Sequence, residues 1–295
     1  MWHKAASTGI PARGQEERPV DVTWIIQTNF GPGSDVGAWA DAVRAAGAHA
    51  REVHVVPFSG DLRDIESPGP TVVYGSGAFA AAARAAGRWS PGVFAGPEVF
   101  TYANWAERYG AMLLNSPDGA ELTTVGAFAL TARDPDEPVF VRPRRDAKTI
   151  AGGVRTAGEF RDWCARAVSG GFDGVGPETE IAVCRPYGIE AEWRLFVVDD
   201  VIRGVSEYSR AGRTSKVRGA PEAVLRFGRA AAAAWSPAPA YVLDVCLSAG
   251  NPYIVEAQDL HSAGHYAADL GPVVAAVNAA AVREWAAARN PVPEP

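Results

Sequence analysis

The chain has 295 residues, 47% of them hydrophobic and 21% charged, with a formal net charge of −6. That length is enough for about two domains with separate cores, and the acidic balance excludes a nucleic-acid-binding surface spread over the whole molecule. No apolar run approaches the ~20 residues needed to span a bilayer, so neither nucleic acid nor membrane is expected as a partner.

Residues 1–19 are polar, lack the apolar stretch of a secretory signal, and are expected to form a flexible arm. Residues 22–27 (VTWIIQ) predict a short buried strand, closed by Asn29-Phe30-Gly31-Pro32-Gly33. A helix follows from about residue 35, with Ser34 or Asp35 as its N-cap and Val36, Trp39, Ala40 and Val43 at helical spacing. Residues 53–58 predict a second strand and 71–74 a third, which ends at Gly75-Ser76-Gly77 before a helix over 78–86. Short buried strands alternating with helices imply a small parallel α/β domain over residues 20–125. Its two glycine turns lie at strand C-termini, where open α/β sheets bind ligands. Tight-turn chemistry and a share in a substrate pocket are both open readings. Neither GxGxxG nor GxxxxGK[ST] occurs.

The second half has a different texture. A strand over 139–142 leads into the basic segment Pro143-Arg144-Arg145-Asp146-Ala147-Lys148, then Gly152-Gly153, expected to form a mobile lid. A helix over 156–169 opens with the capping pattern Thr156-x-x-Glu159. Residues 181–186 predict a strand leading to Tyr187-Gly188, and residues 192–208 a β-hairpin turning at Asp199-Asp200. A helix over 221–235, a second hairpin from strands 241–247 and 252–257, and a helix over 272–287 complete the order, with a disordered tail at 291–295. Cys164, Cys184 and Cys246 are odd in number and widely spaced, which fits neither a disulfide framework nor a zinc site. They read as small buried hydrophobes of a reducing, cytoplasmic compartment.

Chemistry concentrates in the two hairpins. A two-residue turn at Asp199-Asp200 would set Glu192, Arg194, Phe196 and Val198 on one face with Val201, Arg203, Val205 and Glu207. Such a face is either solvated or a phosphate-binding floor whose acids hold the arginines in place. In the other hairpin, Asp244 and Glu256 interrupt apolar strands, which is costly unless each is charge-paired or metal-bound. A three-residue loop, Ser248-Ala249-Gly250, would place Gly250 in the left-handed region and Asp244 opposite Ile254, with Glu256 diagonal and Gln258 on the same face. Two carboxylates and an amide oxygen would suit Mg²⁺; a buried carboxylate pair with nearby arginines is the other reading.

The run Asp244…Tyr253-Ile254-Val255-Glu256-Ala257-Gln258, followed by Ser262-Ala263-Gly264-x-Tyr266, resembles the closing segment of small RimK-like ATP-grasp ligases. Val139-Phe140-Val141-Arg142-Pro143 is similar to that superfamily's first nucleotide-binding strand, and residues 181–187 to the hinge that contacts adenine. Glu192-Trp193-Arg194 with Phe196-Val197 is similar to the strand after it. The resemblance implies an α/β protein (α+β overall), with the N-terminal domain followed by a two-subdomain ATP-grasp domain over 126–290, its lid at about 138–185. It implies an ATP- and Mg²⁺-dependent ligase joining a carboxylate of a small molecule or peptide to an amine through an acyl phosphate. Nucleotide would be held by Arg142, Lys148, Cys184, Arg185, Pro186, Tyr187 and Glu192, and Mg²⁺ by Asp244, Glu256 and Gln258. Arg194 or Arg203 would stabilise the oxyanion, and His261 and His265 flank the site. Arg142 stands where the family usually has lysine and Gln258 where it usually has asparagine. A non-catalytic nucleotide-binding module and a phosphotransferase are the alternatives on the same scaffold.

Overall fold

Four short parallel strands and two helices open the chain. These are β1 (Thr23–Gln27), α1 (Val36–Ala45), β2 (His49–Val53), β3 (Thr71–Tyr74), α2 (Gly77–Ala86) and β4 (Pro91–Gly92), with sheet order β2-β1-β3-β4. The computed structural model describes residues 21–29, 35–56, 62, 65–144, 150, 152–170, 172 and 174–290. The expected arm, the Gly31-Pro32-Gly33 turn, Lys148 and the tail lie outside the described residues. Asp35 caps α1 by accepting from the Ala38 N–H at 3.1 Å, and Ser76 caps α2 by accepting from Phe79. The second strand runs over His49–Val53 rather than 53–58. It is a sheet edge with no fully buried residue, so apolarity misplaced it.

After α3 (Tyr102–Tyr109) comes an antiparallel sheet of β5 (Ala120–Thr124), β6 (Pro138–Pro143), β7 (Gly153–Thr156) and β8 (Glu180–Cys184), ordered β5-β8-β6-β7. Helices α4 (Val125–Ala129) and α5 (Ala157–Val168) bury Val125, Phe128 and Phe160 against Val139, Val141 and Ile181 of this sheet. Both reciprocal bonds of the Thr156–Glu159 capping box are present. β5 lies on the N-terminal side of the expected boundary at 125/126, yet belongs to this second sheet.

The third sheet holds β9 (Ala191–Val198), β10 (Val201–Arg210), β11 (Arg213–Arg218), β12 (Ala240–Ser248) and β13 (Asn251–Asp259), ordered β11-β10-β9-β12-β13 and antiparallel throughout. Helix α6 (Glu222–Ala234) links β11 to β12, and α7 (Leu270–Arg289) closes the chain. Trp193, Leu195, Val197, Tyr241 and Leu243 face a core shared with α3 and α6. On the opposite face Phe196, Val198 and Val242 share a core with α7 and with Trp24, Trp39 and Tyr74 of the first domain. Among the described residues no helix is long and apolar enough to cross a membrane.

Two β-bulges decide which side chains share a face. In the β9–β10 hairpin, Val201 pairs Val198 and Ile202 pairs Val197, but the register then shifts so that Gly204 pairs Phe196 and Ser206 pairs Arg194. The expected facing of Arg203 and Arg194 is therefore corrected. The reason is steric: a Cβ at residue 204 would come within 2.7 Å of Val273 on α7, so glycine, not arginine, fits opposite Phe196. In the β12–β13 hairpin the turn has two residues, Ala249 (φ 49°) and Gly250 (φ 74°), with Ser248 paired to Asn251. Both positive φ values mark a type I′ turn, not the expected three-residue loop. A bulge between Val245–Ile254 and Asp244–Glu256 then re-phases the strands and sets the two carboxylates directly opposite each other.

Candidate active site

The polar end of the third sheet's α7-facing side collects the charged residues. Arg194 on β9 forms a bidentate pair with Asp244 on β12, Nε to Oδ1 at 3.0 Å and Nη2 to Oδ2 at 2.8 Å. The two side chains are 9% and 2% exposed, so this is a buried ion pair, not a surface one. The third arm, Nη1, donates to the Gly264 carbonyl at 3.1 Å. Beneath the guanidinium lie the rings of Tyr208 and Tyr266, 5.4 and 5.2 Å from it and stacked on each other. Burial alone would lower the Arg194 pKa, but the Asp244 charge and its hydrogen bonds raise it, so Arg194 stays ionised.

Beside this pair, Gln258 on β13 donates from Nε2 to Asp244 Oδ2 at 3.1 Å and to Glu256 Oε1 at 3.3 Å. Glu256 also accepts from Arg142 Nη2 at 3.1 Å, while Arg142 Nη1 donates to the Val255 carbonyl at 3.0 Å. Arg142 sits on β6, so this contact bridges the second and third sheets, and its guanidinium lies 4.5 Å from the Trp105 ring centroid. Val255 is the bulged residue of β13, and its carbonyl is the one Arg142 takes. Glu192 on β9 is held above the usual carboxylate range by burial and the nearby Asp244 charge, against the pull of a Tyr208 hydroxyl bond.

Asp244, Glu256, Gln258, Arg194 and Arg142 thus form one connected cluster, with Glu192 beside it. Arg203 is exposed at the bulge between Ile202 and Gly204, without a described bond to the cluster. Cys184 ends β8 as a buried thiol whose pKa burial pushes up to about 11, so it offers packing and backbone rather than thiolate chemistry. Arg185, Pro186 and Tyr187 follow it in the link between the second and third sheets, the Arg185 guanidinium lying over the Tyr187 ring at 4.7 Å. His261 is fully buried: Nδ1 donates to the Val73 carbonyl at 2.5 Å and Nε2 accepts from the Phe94 N–H at 2.8 Å. It fastens the segment after β13 to the first domain and has no nitrogen left for proton transfer. His265 is half-buried near Trp39, and burial lowers its pKa. Sequence reasoning missed Tyr208, because the bulge that turns it onto this face leaves no local pattern.

The whole chain superimposes on ATP-dependent ligases of known structure, and the likeness establishes the fold. D-cycloserine synthetase DcsG matches with a TM-score of 0.60 at 15% identity, covering 89% of this chain and 99% of its own. D-alanine–D-alanine ligase from Bacillus anthracis matches with a TM-score of 0.54 at 12% identity, covering 92% and 99%. A RimK-domain ATP-grasp protein from Sphaerobacter thermophilus DSM 20745 matches with a TM-score of 0.53 at 14% identity, covering 87% and 99%. The architecture is that of an ATP-grasp protein. A family model of the ATP-grasp domain, family 2 of its clade, matches residues 121–276, and the chain belongs to that family. A search of curated protein sequences gives no significant match.

Proposed function

We propose that the protein is an ATP- and Mg²⁺-dependent ligase that joins a substrate carboxylate to an amine. The observation that carries this reading is the convergence of Asp244, Glu256 and Gln258 on one sheet face, bridged by Arg142 to the second sheet. Family membership and the ligase activities named for the structural neighbours point the same way.

The residues present fit a magnesium ion. Two carboxylate oxygens turn toward one point, within 3.1 and 3.3 Å of a single amide nitrogen, and all three side chains can offer the hard oxygen donors magnesium prefers. Among the described residues no third His, Cys, Asp or Glu joins them, so the amide oxygen of Gln258 and the nucleotide's own phosphates and waters would complete the set. Bound there, the metal supplies neutralisation of phosphate charge. The protein's own residues do the rest. Arg142, fixed by Glu256 and the Val255 carbonyl between the sheets, offers a cation to phosphate oxygens. Lys148, in the segment after β6, is assigned the same role. The Cys184-to-Tyr187 link presents backbone groups to the base. Arg194 commits all three nitrogens to Asp244 and Gly264, so its part is positioning: it orients the Asp244 carboxylate in a dry setting. Catalysis is then charge placement and orientation rather than base catalysis. The substrate carboxylate attacks phosphorus to give an acyl phosphate. The amine lone pair next forms the C–N bond, and phosphate leaves with the C–O electron pair. Three free, buried cysteines fit the cytoplasmic setting.

The test is ADP release from ATP and Mg²⁺, measured against panels of amino acids, amines and short peptides, alongside nucleotide-dependent thermal shift. ATP at one hundred times its dissociation constant should stabilise the fold by about 2.7 kcal/mol. No stabilisation at millimolar ATP, or no ADP release with any carboxylate–amine pair, would overturn the reading.

A further inference from the structure

A cleft of about 750 Å³ lies between α2, the segment after β4, and the end of β13. Its size is that of a small-molecule site. The walls are apolar and made of small groups: Ala78, Ala80 and Ala81 from α2, and Val93, Ala95 and Pro97 opposite. The polar groups at the lining are mostly committed. Arg84 is held by both oxygens of Glu98, and the Ser76 hydroxyl caps α2. Both ring nitrogens of His261 are taken by backbone groups. One charge differs: Asp259 accepts from the backbone N–H and hydroxyl of Ser262, yet faces no cation among the described residues. A carboxylate bonded to neutral donors in an otherwise apolar cleft is complementary to a cationic head on an apolar body.

Position ties the cleft to the reaction. Asp259 follows Gln258 directly on β13, and the segment that begins there ends at Gly264, whose carbonyl accepts from Arg194. Its wall is held rigid from the first domain, since Gly75 N–H donates to the His261 carbonyl at 2.8 Å and the Tyr74 hydroxyl to Ala263 at 2.9 Å. A pocket that keeps its shape without ligand loses little on binding.

We infer that this cleft is the binding site of the amine substrate, and that the amine carries an apolar body of about leucine size, its ammonium on Asp259. The inference rests on the ligase reading for its role, and the experiment separates the two. Calorimetry on the full chain uses L-leucinamide as the cationic probe, with uncharged 4-methylpentanamide and anionic 4-methylpentanoate of the same shape. Leucinamide binds the wild type, and the two controls bind about tenfold more weakly or less. Asp259→Asn keeps the acceptor for Ser262 but removes the charge, and weakens leucinamide to the level of the uncharged control. Ala80→Phe fills the cleft and abolishes binding while the ATP-dependent thermal shift persists; Ala81→Leu, at an exposed position, serves if the larger ring impairs folding. Equal or better binding of 4-methylpentanoate, full affinity in Asp259→Asn, or no leucinamide binding overturns the assignment. Probe binding that follows charge and size without amine-dependent ADP release would instead sink the ligase reading and leave the pocket standing. Amine-dependent ADP release indifferent to both variants would do the opposite.

Discussion

Along β9 and β12 one sheet face changes character within two residues. Phe196 and Val242 pack into the core shared with α7 and the first domain, Phe196 edge-on to Trp39 at 6.0 Å. Arg194 and Asp244, the next residues on the same face, form the bidentate pair, and Glu256 and Gln258 on β13 extend the polar patch. The apolar half satisfies itself by packing alone. The polar half is stable because each buried charge has a fitted partner, and the apolar neighbours that keep water away strengthen that pairing. The difference teaches that packing and site are one construction here: the low dielectric that the first half creates is what makes the second half both costly and reactive.

Single truncations should hurt both halves about equally, and repair should tell them apart. Asp244→Asn leaves the buried Arg194 guanidinium with half its pairing and should cost about 3–5 kcal/mol in urea unfolding. This reverses the expectation from sequence that removing a lone buried carboxylate leaves folding intact or improved, because the carboxylate is not alone. Phe196→Ala should cost a similar ~3–5 kcal/mol through the cavity it leaves. The double replacement Arg194→Met with Asp244→Leu should recover most of the stability lost in Asp244→Asn, since an apolar pair often matches a buried ion pair. Ligase activity should stay absent. Should the double variant remain as unstable as the single one, the pair would be structural, and its assignment to positioning would fall.

Glu256→Gln sharpens the contrast inside the polar half. Its side chain is 33% exposed, against 2% for Asp244, so losing its charge should cost about 1 kcal/mol or less. ADP release should nevertheless fall on the order of 100-fold, the scale for removing a preorganised electrostatic group at developing charge. Melting curves and single-turnover ADP assays on the two variants read the difference directly. Equal destabilisation of Asp244→Asn and Glu256→Gln would erase the distinction.

What was legible in the sequence follows from what each signal depends on. Thr71–Tyr74 is a fully buried central strand, and its apolar run gave it away with the residues observed. His49–Val53 and Arg213–Arg218 are edges, polar and mostly exposed, and periodicity does not mark them. The clustering of Asp244, Glu256 and Gln258 was legible from their burial inside apolar strands, but the stated route to it was wrong. An even turn would have separated the acids, and the extra residue at Val255 undoes that. In the other hairpin the same device removes Arg203 from the face, and the reason lies far downstream in sequence, where Gly204 meets Asp269 and Val273 at the start of α7. Bulges answer to tertiary contacts, so strand alternation alone cannot register them.

The smallest effect probes the joint between the first domain and the site. His261 donates to one backbone carbonyl and accepts from one backbone N–H, which together fix a neutral tautomer. Complete burial pushes its pKa below the ordinary value near 6.5, against the pull of Asp259. In the unfolded chain the ring protonates as pH falls below about 6.5; in the folded chain that proton would break the Phe94 bond. The unfolded state then binds more protons, so the contribution present above pH 6.5 is lost as pH falls toward the folded value. For one group the slope is at most about 1.4 kcal/mol per pH unit. Urea unfolding at pH 7.5, 6.5 and 5.5 should show the wild type losing stability across the last unit. His261→Gln, whose amide can donate to Val73 and accept from Phe94, should lose less over that interval. Part of the slope should persist in the variant through His265, which burial also shifts downward. Parallel pH profiles for wild type and His261→Gln would show that His261 already carries its proton in the folded joint, against the bond it accepts from Phe94.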